Sequence, residues 1–284
     1  MSAPKAGPEP VDHNDIKGLF RKRLLVYVPA HNCADAVGGV IKAIPPEVAA
    51  AADILVVDNF SYDGTGEAAA AACSAAGLKD AVLLRTSSDL GYAGSQKLAY
   101  RLALASPSVE WVLMLHGDGQ YPPELTRAFL PYMDSDFGVC YGYRSKRLFR
   151  EEETPWSTWA IIKGLSLLES LVTGVFRREW HTGFVMYRTS FLRRLDLGRL
   201  THTPHIDGNL LYLSGALGVK TAAVPIYKRY RELTPFEGAA RRRYVLDVLR
   251  LMFRFRMEKE AAQGPDSGRA DTEKLIGSVK RPAA

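Results

Sequence analysis

The chain has 284 residues, 47% hydrophobic and 24% charged, the make-up of an ordinary soluble globular protein with one large core. It contains no run of 18 uncharged apolar residues, its N-terminal MSAPKAGPEPVDHND has no apolar stretch, and its three cysteines (Cys33, Cys73, Cys140) are odd in number and far apart. A membrane span, a secretory signal, a disulfide frame and a zinc site are therefore not expected, and a reducing cytosol is. The net charge of +6 suits anionic partners, such as nucleotide diphosphates, lipid phosphates or an anionic membrane surface. Charge would also permit nucleic acid, but no recognised nucleic-acid module is present, so none is expected as a partner.

Residues 1–20 are rich in Pro, Gly and charge and are expected to form a flexible arm. Leu24–Val28 reads as a first strand ending at Pro29, and Ala34–Ile44 as a helix. Ile54–Val57 is a second strand that stops at Asp58; Gly64 then suits a turn and Thr65 can cap an Ala-rich helix. Val82–Leu84 is a third strand, followed by Asp89-Leu90-Gly91 and a helix to about Ala105, and Trp111–Leu115 is a fourth. Four such units in a row imply an α/β fold with a mostly parallel, helix-flanked sheet whose strand ends gather the functional groups. Asp58, Asp89 and Asp118 each lie just past a strand, so three acids are expected to face one crevice. Taken singly, each is equally explained as a turn former.

The second half is less regular. Phe137–Tyr143 reads as a strand leading into the basic loop Arg144-Ser145-Lys146-Arg147. Trp156–Phe176 is mostly apolar, either a core helix or one lying on a membrane or lipid acceptor. Val185–Tyr187 is a strand, Asp207–Leu217 a helix, and Thr221–Tyr230 a strand in which Pro225 marks an edge or an end. Residues 21–235 are thus expected to form a single domain, divided into halves at 123. Residues 236–262 read as a basic amphipathic helix, packed on that domain or bound at a membrane surface, and 263–284 as a disordered tail.

The fourth strand ends in His116-Gly117-Asp118-Gly119-Gln120. If the chain stays extended, its period of two points all three side chains one way. An imidazole, a carboxylate and an amide oxygen could then hold a divalent ion and, through it, a diphosphate. The alternative is a loop in which Asp118 caps a turn and His116 is a satisfied strand-end residue.

The series VPAHN, VVDNFSYDGT, DLGYAGSQKLA, LHGDGQYPPE, YGYR, HTGFVMYR and VPIYKRYR resembles family-2 inverting glycosyltransferases of the GT-A type. Within them it is most similar to the polyprenyl-phosphate, dolichol-phosphate mannose synthase-like branch, over roughly residues 23–232. The resemblance implies a Rossmann-like GT-A domain that binds a nucleotide-diphosphate sugar over the strand ends. Pro29, Ala30 and Asn32 would frame the nucleoside, Asp58 would contact base or ribose, and Asp89 with Gly91 would stand nearby. Asp118 and Gln120, with His116 in place of the family's first acid, would hold Mg²⁺ or Mn²⁺ against the diphosphate. An imidazole for a carboxylate removes a negative charge and favours Mn²⁺ over Mg²⁺. The chain also departs from the family at Cys33, at Asn59-Phe60, around His181 and after Arg231, so its acceptor side follows the pattern least closely.

What the resemblance implies is a metal-dependent inverting transfer, most simply to a polyprenyl phosphate, by a cytoplasmic protein peripheral to the inner face of the membrane. Arg144, Lys146 and Arg147 could bind a phosphate of donor or acceptor, or belong to a solvated loop. His181 and Thr182 would orient the acceptor. Asp207 is the candidate base for a hydroxyl acceptor, with a helix cap as the equal alternative. Two rivals stay open: transfer to a soluble saccharide or secondary metabolite, and a non-catalytic, transferase-like protein that binds nucleotide or a membrane surface. A nucleotidyltransferase or a dinucleotide oxidoreductase would need a Gly-rich loop after the first strand, where Pro29-Ala30-His31-Asn32 stands instead.

Overall fold

A computed structural model describes residues 18–229, together with 245, 246, 248–250, 252, 263–268 and 272–281. At its centre are four parallel strands, β1 (Leu24–Ala30), β2 (Ala52–Asp58), β3 (Val82–Thr86) and β4 (Trp111–Met114), in the order β4-β1-β2-β3. They are apolar on both faces, as a sheet covered on both sides requires. Leu25, Tyr27, Leu55 and Val57 face one apolar cluster, and Leu24, Val26, Ile54 and Val56 the other. Helices α1 (Ala34–Lys42) and α3 (Thr65–Ala75) cover the second face; α4 (Gly91–Ala105) and α6 (Ile206–Ala216) cover the first. The short α2 (Pro46–Ala51), started by its proline, precedes β2. Because β1–β4 are parallel, all four carry their polar carboxyl ends to one edge.

The rest extends the sheet. β5 (Val139–Arg144), β6 (Val185–Arg188) and β7 (Thr221–Ile226) complete one side, with β6 antiparallel to both β4 and β5, giving β7-β5-β6-β4. Pro225 lies in the edge strand β7, where its missing N–H costs no ladder bond. Helix α5 (Trp156–Thr173) lies between β5 and β6 in sequence. All three cysteines are buried and unbridged.

Two expectations need correction. Thr65 does not cap α3: Gly64, at φ +87°, holds the cap position, and Thr65 instead donates its hydroxyl to Asp63. The tail expected to be disordered from 263 contains ordered segments. Asp266 pairs with Arg101, and β8 (Ile276–Lys280) runs antiparallel beside β3. An edge strand is held by backbone bonds to one neighbour, so it needs little of the apolar patterning by which a strand is recognised. The basic helix expected over 236–262 lies outside the described residues, except for 245, 246, 248–250 and 252. These are helical, and Val248 and Met252 are buried.

Candidate active site

Where β1–β4 end, a cavity of about 270 Å³ opens, lined by Pro29, Ala30, His31, Cys33, Asn59, Asp89, Gly91, Tyr92, Ser95, His116, Gly117 and Asp118. It has the switch-point position at which open α/β sheets bind ligands. Of the residues expected there, Pro29, Ala30, Asp89, Gly91, His116 and Asp118 line it; Asn32, Asp58 and Gln120 do not.

The loop after β4 explains the absence of Gln120. Leu115 and Gly117 still donate to Tyr27 and Pro29 of β1, at 2.9 and 3.0 Å, and the extended path then breaks. Gly119 takes φ +74°, a left-handed value that suits glycine, and Asp118 Oδ1 accepts the Gln120 N–H at 2.9 Å. Period-two geometry therefore ends before Gln120, whose carbonyl instead accepts the Arg229 N–H. Asp118 caps the turn and also lines the crevice.

His116 is packed between the rings of Tyr92 and Tyr121, with centroids at 5.7 and 4.9 Å. Its Nε2 lies 3.3 Å from the Tyr92 hydroxyl. Burial pushes its pKa down and nearby Lys228 adds to that, against the pull of Asp118, so the ring is neutral near pH 7. Gly183 closes the other side. A Cβ there would stand 2.6 Å from His116 Nε2, so no larger residue fits without moving the imidazole.

On the β2–β3 side the acids part company. Asp58 turns away from the crevice, accepting from Arg85 at 3.0 Å and from the Ser61 N–H at 2.9 Å. Its neighbour Asn59 turns in. Asn59 donates to Asp89 Oδ1 at 2.7 Å and accepts the Leu90 N–H at 3.0 Å. Asp89 also accepts the Gly91 N–H, and these bonds hold its carboxyl below the usual range. Asn32, at φ +48°, accepts from the Tyr62 N–H, and the adjacent His31 faces the cavity in its place. The set facing the crevice is thus His31, Asn59 and Asp89, shifted by one residue at two of the three strand ends.

On the far side, Arg144 is buried and held by Glu179, which accepts its Nε at 2.6 Å and its backbone N–H at 2.9 Å; it also donates to the His181 carbonyl. Lys163 joins Glu179 at 3.2 Å. The His181 imidazole points at buried Glu169, 2.8 Å away, and Thr182 is buried. Arg147 is exposed on its loop and is not brought to the others. Nothing in the sequence singles out Lys228, although it lies inside the VPIYKRYR stretch. Its ammonium stands 5.1 Å over the Tyr121 ring; burial and Arg144 lower its pKa to about 8, against Asp118 and Glu179.

Asp207 neither caps α6 nor reaches the cavity. The cap position is His205, and the carboxylate is enclosed, accepting from Tyr92 and Gln96 at 2.7 Å each and from Tyr187 at 3.5 Å. It acts on the crevice only through Tyr92. Burial raises its pKa to about 6, against those three donors. A carboxyl whose folded pKa is raised stabilises the fold below its unfolded pKa, and that contribution is lost as pH rises through the folded value. Stability should therefore decline between about pH 4 and 6 with a slope of up to about 1.4 kcal/mol per pH unit from this group. Urea titrations across that range should show the slope in the native chain and a flatter profile in Asp207→Asn; equal slopes would refute the assignment.

The fold matches known proteins. The family model described as "Glycosyl transferase family 2" matches residues 25–198, more than half the chain. Among solved structures, mannosyltransferase PcManGT from Pyrobaculum calidifontis in complex with GDP-Man and Mn²⁺ is 18% identical (TM-score 0.59), covering 96% of this chain and 71% of that one. Glucosyl-3-phosphoglycerate synthase from Mycobacterium tuberculosis, in complex with Mn²⁺, UDP and glucosyl-3-phosphoglycerate, is 13% identical (TM-score 0.54), covering 94% and 88%. At these identities the likeness is one of fold, the GT-A glycosyltransferase fold, while the family model reaches across β1–β4 and the loops that build the cavity; the chain belongs to glycosyl transferase family 2.

Proposed function

We propose that the cavity binds a nucleotide-diphosphate sugar and that the protein transfers the sugar, with inversion, to a phosphate-bearing acceptor, most simply a polyprenyl phosphate. The observation that carries this reading is the convergence of Asn59, Asp89, His116 and Asp118 past the ends of β2, β3 and β4, three of the four parallel strands, within the family match. His31, Asn59 and Asp89 offer hydrogen-bonding groups for base and ribose. Asp118 offers a carboxylate beside a neutral imidazole, a pairing that fits Mn²⁺ better than Mg²⁺.

Among the described residues, no group of three or more His, Cys, Asp or Glu forms a ready-made cation site. The donor set therefore fits a cation that the diphosphate itself chelates, with Asp118 as its protein carboxylate and His116 alongside. Bound there, a divalent ion would supply Lewis-acid neutralisation of the leaving diphosphate. The chain's own contribution would be the Asp118 carboxylate as a ligand for that cation and the positive charge of Lys228, which lies within electrostatic reach of Asp118. A phosphate acceptor arrives ionised and needs no general base, which agrees with the enclosure of Asp207. A soluble acceptor is the second reading, favoured by the phosphoglyceric acid bound in a mycobacterial relative of this fold.

Mn²⁺ with UDP or GDP should raise the melting temperature by mass action, whereas Mn²⁺ alone, lacking the diphosphate's oxygens, should do little. Mg²⁺ should give a smaller shift than Mn²⁺. A panel of nucleoside diphosphates with Mn²⁺, Mg²⁺ or EDTA reads this directly. If no nucleotide shifts the folded protein under any condition, the donor-site reading fails.

A further inference from the structure

Helix α5 is inside out. Its domain-facing side is polar: Ser166, Glu169 and Ser170 are buried, Glu169 meets Tyr212 and His181, and Ser170 accepts from the Trp180 indole. Its solvent side is apolar. Trp156 is 69% exposed, Leu167 58% and Leu171 61%, with Ile161 and Leu168 between them and Phe176, 76% exposed, just beyond the helix. No charged residue lies on that strip, which runs roughly 22 Å from Trp156 to Leu171 at 1.5 Å per residue. A surface helix of a free-standing domain shows the opposite pattern, and a continuous apolar patch of this kind marks an interaction surface.

We infer that this face binds the surface of a bilayer carrying anionic phospholipid. Charge selects the occupant. Exposed Arg147 and Arg150 precede the helix, exposed Arg178 follows it, and the Lys146 ammonium lies 5.1 Å over the Trp156 ring; these outnumber the exposed Glu151 and Glu153 in the same loop. Apolar residues that dip below the headgroups, with cations at their rim, are what anionic lipid attracts, and bulky aromatics such as Trp156 and Phe176 favour the interface. A second copy packed on the same strip in antiparallel fashion would set the cations at one end of α5 against those at the other, which is repulsive.

The inference deepens, and rests on, the polyprenyl-phosphate reading: α5 leads directly into Arg177–Gly183, the wall against His116, so lipid under α5 would present a phosphate-headed acceptor beside the cavity.

The test is co-sedimentation of the full chain with phosphatidylcholine vesicles, with and without 30% phosphatidylglycerol. The native chain should pellet with the anionic vesicles, and Leu167→Glu/Leu171→Glu should lower its partition coefficient at least tenfold. Both positions are exposed, so the double variant should melt as the native chain does and show the same nucleotide-dependent shift. Three results would overturn the inference: a native chain left in the supernatant, a double variant that pellets normally, or equal binding to neutral vesicles. A dimer seen by light scattering and abolished in the double variant would assign the strip to a second copy and likewise overturn it. Failure of the donor-site reading looks different, since the nucleotide shift would then be absent while vesicle binding persisted.

Discussion

Asp118→Ala is expected to lower kcat/KM for sugar transfer by about 10²–10³-fold and to abolish the Mn²⁺-dependent nucleotide shift, while the free protein still folds. The magnitude follows from the position. In the His116–Gln120 loop Asp118 is the sole carboxylate, and it faces the cavity from a fixed turn. Removing a single preorganised electrostatic partner of a developing charge costs on the order of 10²–10³ in rate, and a cation left without its protein carboxylate forfeits part of a contribution of several kcal/mol. The structural cost is small, because the lost acceptor serves one N–H, that of Gln120, in a partly exposed loop. Asp118→Asn separates the two effects: its amide oxygen still accepts the Gln120 N–H, but its charge is gone. Near-native steady-state rates in Asp118→Asn would show that the carboxylate's charge is not used.

Glu179→Ala should cost the fold about 3–5 kcal/mol, the usual consequence of breaking a buried ion pair from one side. Glu179 is fully buried and receives Arg144 through its side chain and backbone as well as Lys163, so alanine would leave a buried guanidinium without its carboxylate. For a domain of this size that corresponds to a melting temperature lower by roughly 10 °C. Removing both charges, as in Glu179→Leu/Arg144→Met, should restore much of the loss, since a buried pair is often replaceable by apolar groups of similar volume. The pH dependence has a sign. Burial pushes the Glu179 pKa up, but Arg144 and Lys163 outweigh it and hold the pKa below the ordinary value. Its contribution is therefore present above the unfolded pKa and is lost as pH falls through the folded one. Urea unfolding at pH 7 and again at acidic pH would settle it; a single variant as stable as the native chain would disprove the account.

The parallel half of the molecule was legible because each of its strands announces both ends: β-rich apolar residues, then Pro29, Asp58 or His116-Gly117. Those signals place the edge where ligands bind, and Asp89, His116 and Asp118 follow from it. They do not say on which side of a strand end a side chain emerges. A turn with one residue at positive φ exchanges neighbours, as happened with Asn32 for His31, and Gly119 turned Gln120 away. Asp58 and Asn59 exchanged because Arg85, 27 positions later, claims the carboxylate. The polar side of α5 was unreadable for a similar reason: Glu169 is matched by Tyr212 and His181, which no local pattern connects to it. Glu179 and Lys228 gain their meaning only in three dimensions, through Arg144 and Asp118.

β8 bears on how the protein comes to be folded. Besides pairing with β3, this segment anchors the loop that carries Asp89: the Ser87 N–H and hydroxyl both donate to carbonyls just ahead of β8, the hydroxyl to Lys274, 187 residues away in the chain. During synthesis, β3 must therefore stand as an open edge while most of the polypeptide is still to come, with Leu83 and Leu84 on a row of unpaired backbone groups. An open edge of that kind recruits other chains, and β8 closes it late because the loop to be closed is so long. A stalled ribosome should thus turn this protein toward aggregates, and expression with abundant chaperone should favour the native form.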